Sequence, residues 1–195
     1  MTVITALQSS IESGVSMLSK NTFQIQKFPA IQMGGPGSRA KYRNRKDITV
    51  DEFYRLKETL SQASYVGAEQ WMWGRLLRFE GKETNPNVSV AGITPEAMFT
   101  NNWIIASGRA IMQSDVDFSA SIIILGKDVA DRLFPNIDPV GQYIRLEGRP
   151  LLVAGVLESQ GQLFGQGRDN LALLPLTTYQ SFYGKRNRSI NITVM

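Results

Sequence analysis

A chain of 195 residues with neither cysteine nor histidine is closed to disulfides, to thiolate or imidazole metal ligands, to a cysteine nucleophile and to a Ser-His-Asp triad. With 43% hydrophobic and 19% charged residues, it has ordinary globular composition and enough apolar side chains for a sizeable core. Its formal net charge of +4, from 21 Lys and Arg against 17 Asp and Glu, is spread along the chain outside one loop, so charge by itself calls for neither nucleic acid nor an anionic membrane.

Ile4, Leu7, Ile11, Val15 and Leu18 recur at steps of three and four, which predicts an amphipathic helix over residues 1–20. No stretch approaches the roughly 18 apolar residues of a membrane-spanning helix, and the first residues lack the order of a secretory signal, so the chain is expected to be soluble as it stands. The helix also starts abruptly, as the truncated end of a longer one would. Phe23 and Ile25 alternate with Gln24 and Gln26 and predict a half-buried strand, which Gly34, Gly35, Pro36 and Gly37 interrupt.

After a basic loop, Thr49 and Glu52 have the spacing of a capping box, and Ile48 and Phe53 that of a hydrophobic staple. The predicted helix turns Phe53, Leu56 and Leu60 inward. Residues 64–93 read as strands, and Thr94 and Pro95 start a short helix through Met98 and Phe99. A second block from about 107 to 165 holds a strand at 121–125, a helix at 127–134 stopped by Pro135, and strands either side of a turn at 147–150. Residues 159–168 are expected to be flexible. A strand at 171–174 precedes a helix that Thr177 and Gln180 are expected to cap and Gly184 to end. Ile190, Ile192 and Val194 then predict a strand with one buried face.

Several groupings invite a chemical reading. Arg39, Lys41, Arg43, Arg45 and Lys46 around Tyr42 form a dense basic loop, read as a solvated segment or a contact for a partner or lipid headgroups; nucleic acid is not expected. The glycines of 34–37 and 161–167 are not followed by the Lys and Ser or Thr of a phosphate loop, so no nucleotide, and no other cofactor, is expected. Asp115 with Asp117 and Asp128 with Asp131 are acid pairs that local structural roles explain. Trp71 and Trp73 share one strand face, either as packing or as a ligand platform.

The run Ile122–Gly126 (IIILG), followed by Val129, Ala130, Leu133 and Phe134, by Pro139, Val140 and Gly141, and by Val153–Leu157 (VAGVL), resembles the MacB-type periplasmic core domain of FtsX-like ABC-transporter permeases. Gly92–Phe99 (GITPEAMF), Gly108 and Arg109 before Asp115, and Phe164, Gly165 and Leu174–Thr178 (LPLTT) continue the pattern in order. The resemblance covers residues 21–195. The basic loop and residues 161–167 are not explained by it.

The resemblance implies an α+β fold in which a discontinuous porter-like α/β subdomain, residues 21–106 and 166–195, carries an inserted, mainly-β Sabre-like subdomain, residues 107–165. Residues 1–20 would be the outer end of a truncated membrane helix. It further implies an extracytoplasmic, membrane-anchored position on the periplasmic side of a bacterial inner membrane, with no catalytic residue in this chain. The implied partners are a second copy or paralogue, a cytoplasmic ATPase domain or subunit, and a periplasmic adaptor or carrier. Leu163 and Phe164, apolar residues in a glycine-rich loop, are the candidate partner contacts, with Arg43 and Arg45. The alternative is a stand-alone periplasmic binding or enzymatic domain that uses Trp71, Trp73 and nearby carboxylates; it predicts a concave pocket with displaced carboxyl pKa values. The permease reading predicts shallow surfaces and chain ends that lie close together.

Overall fold

Apolar runs with β-branched residues set the frame of this fold, a computed structural model that describes residues 21–28, 42, 44–163, 166–185 and 188–195. The expectations on 1–20, on 34–37, on Arg43 and on Phe164 lie outside the described residues. In chain order the elements are β1 (Phe23–Ile25), α1 (Val50–Thr59), β2 (Val66–Arg75), β3 (Leu77–Phe79), β4 (Lys82–Glu83), β5 (Val88–Ile93), α2 (Glu96–Thr100), β6 (Ile105–Gly108) and α3 (Gln113–Asp117). There follow β7 (Ile122–Leu125), α4 (Lys127–Leu133), β8 (Tyr143–Leu146), β9 (Arg149–Leu157), β10 (Gln162–Leu163), β11 (Gln166–Gly167), β12 (Leu171–Pro175), α5 (Leu176–Tyr183) and β13 (Asn191–Val194).

Eleven strands form one sheet in the order β1-β13-β2-β5-β12-β7-β9-β8-β3-β4, with β6 added to β9. β5 with β12 and β7 with β9 are parallel, and the other pairs are antiparallel. Both faces are covered, which is why β7 reads as an unbroken apolar run. Its Ile123 and Leu125 enter a core with α4 and α5, while Ile122 and Ile124 enter the opposite core with Ala97, Met98 and Trp103. Each such side chain, fully buried, stabilises by about 2 kcal/mol relative to exposure. Among the described residues no helix is long and apolar enough to cross a membrane.

Helix α1 forms as its sequence dictates. Thr49 Oγ1 accepts from the Glu52 amide at 3.3 Å and Glu52 Oε2 accepts from the Thr49 amide at 2.9 Å, and Phe53 is fully buried beneath Leu56, Leu60 and Ile48. Lys46, bonded to Glu52 at 2.7 Å, and then the Thr49 amide hold the Glu52 carboxyl down to about 2. The turn between β8 and β9 is two residues, Glu147 at φ 51° and Gly148 at φ 85°, the left-handed pair that a tight hairpin requires.

Three expectations are corrected. Thr177 and Gln180 do not cap α5: the helix starts straight after Pro175, Thr177 donates to the Val116 carbonyl, and Gln180 donates to Gln70 Oε1 at 3.3 Å. β1 is turned over, with Phe23 and Ile25 54% and 37% exposed and Gln24 facing inward, because the buried Glu69 carboxylate draws the Gln24 amide to the covered face. β13 is buried on both faces, because Thr193 pairs with Thr100 at 2.6 Å. The stretch 159–168 also contains a small strand pair, β10 against β11, with Leu163 opposite Gln166.

Candidate functional site

Strand β2 passes between two helices and aims successive side chains at each. Gly67, Glu69 and Trp71 lie towards α2, while Gln70 and Met72 lie towards α5. Helix α2 comes this close because Gly67 has no side chain: a Cβ there would stand 2.7 Å from the Ala97 backbone. Beneath the end of α2 sits Glu69, 1% exposed. Its oxygens accept from Gln24 Nε2 of β1 at 2.7 Å and Asn101 Nδ2 at 3.2 Å, and the side chains of Trp71 and Asn191 also bond to it. Burial pushes the Glu69 carboxyl up to about 7, outweighing those hydrogen bonds, which act in the other direction.

Trp71 connects this carboxylate to the surface. Its ring stacks on Trp73 with centroids 6.5 Å apart and meets the edge of Trp103 at 6.0 Å. Trp73 is 66% exposed. The two indoles do share a face, Trp71 packed between its neighbours and Trp73 exposed. Asn101 and Asn102 then lead to the small hairpin, since Gln160 Nε2 donates to the Asn102 carbonyl at 3.0 Å. Asp169, 6% exposed, fastens the base of that hairpin by accepting from the Gln160 amide at 2.7 Å, the Gly161 amide at 3.2 Å and the Ser159 hydroxyl.

The candidate contacts fall in separate neighbourhoods. Arg45 lies over the Tyr42 ring at 4.5 Å and reaches the Lys27 carbonyl at 3.5 Å, beside β1 and α1. Leu163 belongs to β10, in the hairpin fastened to the end of α2. Three of the four paired acids are occupied locally: Asp115 takes both Arg109 nitrogens at 2.6 and 3.0 Å plus the Met112 amide, Asp117 accepts from Gln113, and Asp131 pairs with Lys127. Arg109 holds the Asp115 carboxyl below its usual range.

A pocket of about 170 Å³ lies between Asn102, Ile104, Glu158, Gln160 and Arg168, and another of about 320 Å³ between Ile25, Ile48, Leu56 and Ile192. Neither includes Trp71, Trp73 or Glu69. Among the described residues no group of three or more Asp or Glu gathers to hold a metal ion. Glu69 escaped the sequence reading; its signal was an adjacent Glu-Gln pair in a strand otherwise rich in apolar residues.

β1 and β13 are antiparallel neighbours, with Phe23 opposite Val194, and the Met195 carbonyl accepts from the Ser64 amide at 2.7 Å. The first and last strands of the sheet therefore begin and end at one place.

Residues 1–195 match the family of the MacB-like periplasmic core domain. The macrolide export ATP-binding/permease protein MacB of Rhodospirillum rubrum is 36% identical over 150 residues, which is 76% of this chain and 22% of that protein. The protein of the same name from Rhodopirellula baltica is 29% identical over 179 residues, 90% of this chain and 24% of that one. The chain thus spans about a quarter of the length of these relatives. The periplasmic region of MacB from Actinobacillus actinomycetemcomitans shares the fold with a TM-score of 0.68 at 22% identity, covering 92% of this chain and 76% of that one. The extracellular domain of the noncanonic ABC-type transporter YknZ from Gram-positive bacteria does so with 0.67 at 20% identity, covering 90% and 83%. The α+β fold is that of these domains, and the chain belongs to the family of MacB-like periplasmic core domains.

Proposed function

We propose that this chain is the extracytoplasmic, non-catalytic part of an ABC-transporter permease, held on the periplasmic side of a bacterial inner membrane and passing membrane-helix motion to a cargo or partner. The observation that carries this reading is the pairing of Phe23 with Val194: a domain inserted between two membrane helices needs its ends together. ATP would be hydrolysed by a cytoplasmic domain or subunit outside this chain, in keeping with the relatives' description as ATP-binding/permease proteins. The signal would travel as helix displacement and rearrangement between two copies, homodimeric or paralogous, towards a periplasmic adaptor or carrier.

Residues 1–20 are proposed as the outer end of a membrane helix, and 107–165 as a Sabre-like insertion into a porter-like unit of 21–106 and 166–195. The insertion is supported by β5 and β12, which lie on either side of that span in sequence and pair directly in the sheet. Partner contact is placed at Leu163 and Phe164, with Arg43 and Arg45. A photo-crosslinking side chain introduced at Leu163 in cells tests it, and capture of no protein would remove the hairpin from consideration.

The alternative of a stand-alone binding or enzymatic domain is favoured by one arrangement, the exposed Trp73 stacked on Trp71 beside a buried carboxylate titrating near 7. Fractionation of source cells with an antibody to this domain separates the two. A band larger than 21.7 kDa that resists alkaline washing of membranes supports the permease; a soluble band at 21.7 kDa overturns it.

A further inference from the structure

Strand β1 is three residues long, pairs among the described residues only with β13, and leaves Phe23 and Ile25 54% and 37% exposed. Little apolar burial holds it. Its one inward side chain, Gln24, ends on Glu69 at 2.7 Å. Among the described residues the remaining groups bonded to Glu69 are Asn101, Asn191 and Trp71, so each partner there is a neutral amide or indole, and no ion pair involves Glu69.

We infer that Glu69 is a proton-operated latch on β1: a protonated carboxyl keeps the leading strand fastened to the sheet, and an ionised one loosens it. A buried carboxylate without a cation is more costly than neutral hydrogen bonds can offset. Any motion that admits water to it is therefore favoured once it ionises. Of the elements over Glu69, β1 moves most easily. Asn101 caps the end of α2, which buried Ala97 and Met98 anchor; Asn191 belongs to β13, held between β1 and β2; Trp71 is wedged between Trp73 and Trp103. The protonated form keeps the contact with Gln24, since a rotated amide offers its oxygen to the carboxyl proton.

The charged groups on the surrounding elements are engaged elsewhere. Lys27, just after β1, bonds Asp47 at 2.7 Å, and Glu96 of α2 bonds Lys57 at 2.6 Å. Arg75 of β2 pairs with Glu147 beyond the strand's bulge. Asp169 accepts from the hairpin base, whose neighbouring charges are Glu158 and Arg168. β5 and β13 carry no titratable side chain. The ion pair Lys27–Asp47 also confines the loosening to residues 21–26. The raised Glu69 carboxyl agrees with this linkage, because a closed state that holds its proton more tightly than the open one is favoured by protonation.

Hydrogen exchange of the 195-residue chain, corrected for the intrinsic pH dependence of exchange, tests the latch. The amides of residues 21–26 should be protected on the order of tenfold less at pH 8 than at pH 5.5, while those of β7 and β12 hold constant as the internal reference. Glu69→Gln should remove the step. Equal protection of β1 at both pH values in the wild type, or an undiminished step in Glu69→Gln, overturns the inference. Should Glu69→Gln fail to fold, Gln24→Ala serves: it leaves the cores untouched and should leave β1 poorly protected throughout, and a full-sized step in that variant also overturns the latch. These outcomes depend on the chain's own geometry and leave the permease reading to the fractionation test.

Discussion

Gly92 lies directly beneath Tyr179. A Cβ on Gly92 would stand 2.3 Å from the Tyr179 Cβ and 2.5 Å from its Cγ, so the absent side chain is what lets α5 rest on β5. Gly92→Ala must push the helix off the sheet and is expected to cost about 1–3 kcal/mol, lowering the melting temperature by roughly 5 °C. Thermal denaturation followed by circular dichroism reads this, and an unchanged midpoint would mean that α5 is not seated there.

The Arg109–Asp115 pair makes a prediction with a pH signature. Asp115 is buried, but the Arg109 side chain is 43% exposed, so solvent weakens the pair and Asp115→Asn should cost only about 1 kcal/mol at pH 7. The folded carboxyl is held below its ordinary 3.8. Its contribution is therefore present above that pH and lost as pH falls through the lower folded value. Urea unfolding of both proteins should show the gap closing below about pH 3.8, and a gap that persists undiminished into stronger acid would contradict the assignment.

Glu69 has the opposite sign. Its folded pKa of about 7 lies above the ordinary 4.5, so the folded chain binds this proton more tightly than the unfolded one. Stability is greatest below about 4.5, declines as pH rises to 7, and is flat beyond, with a total decline of about 3 kcal/mol. Combined with Asp115, this places the maximum of these two contributions near pH 4. Glu69→Gln should flatten the profile between 4.5 and 7; the same slope in the variant would assign the decline to another group.

Trp71 and Trp73 should separate cleanly. Trp73→Ala, at a position 66% exposed, is expected to cost about 0.5 kcal/mol or less. Trp71→Ala removes a ring in contact with Trp73, Trp103 and Glu69 and should cost about 2–3 kcal/mol. Equal losses in denaturant titrations would mean that the outer indole is buried by something in solution.

What the sequence revealed was largely what local chemistry controls. The Thr49–Glu52 box depends on residues three apart and formed as read. The identical spacing at Thr177 and Gln180 did not, because the Val116 carbonyl and Gln70 compete for those side chains from sixty and more positions away. Period-two alternation located β1 and β13 yet misjudged their faces: sidedness depends on what covers the sheet, and at Gln24 the cover is a carboxylate on another strand. The tryptophan pair was visible from spacing alone. Glu69 was not, since nothing in a linear chain shows that Gln24, Asn101 and Asn191 converge on one strand position.

The shared end of β1 and β13 has a mechanical meaning. A pull applied to both chain ends in the same direction puts no relative load on the β1–β13 ladder and meets the four registered pairs between β13 and β2 in shear, all at once. A pull that separates the ends opens Phe23 from Val194 first, then Gln24 from Thr193, then Ile25 from Ile192, as a zip opens. The same edge is stiff towards joint displacement and compliant towards splaying, so a piston-like stroke of the flanking segments would carry the sheet whole, and a spreading one would peel its first strand away.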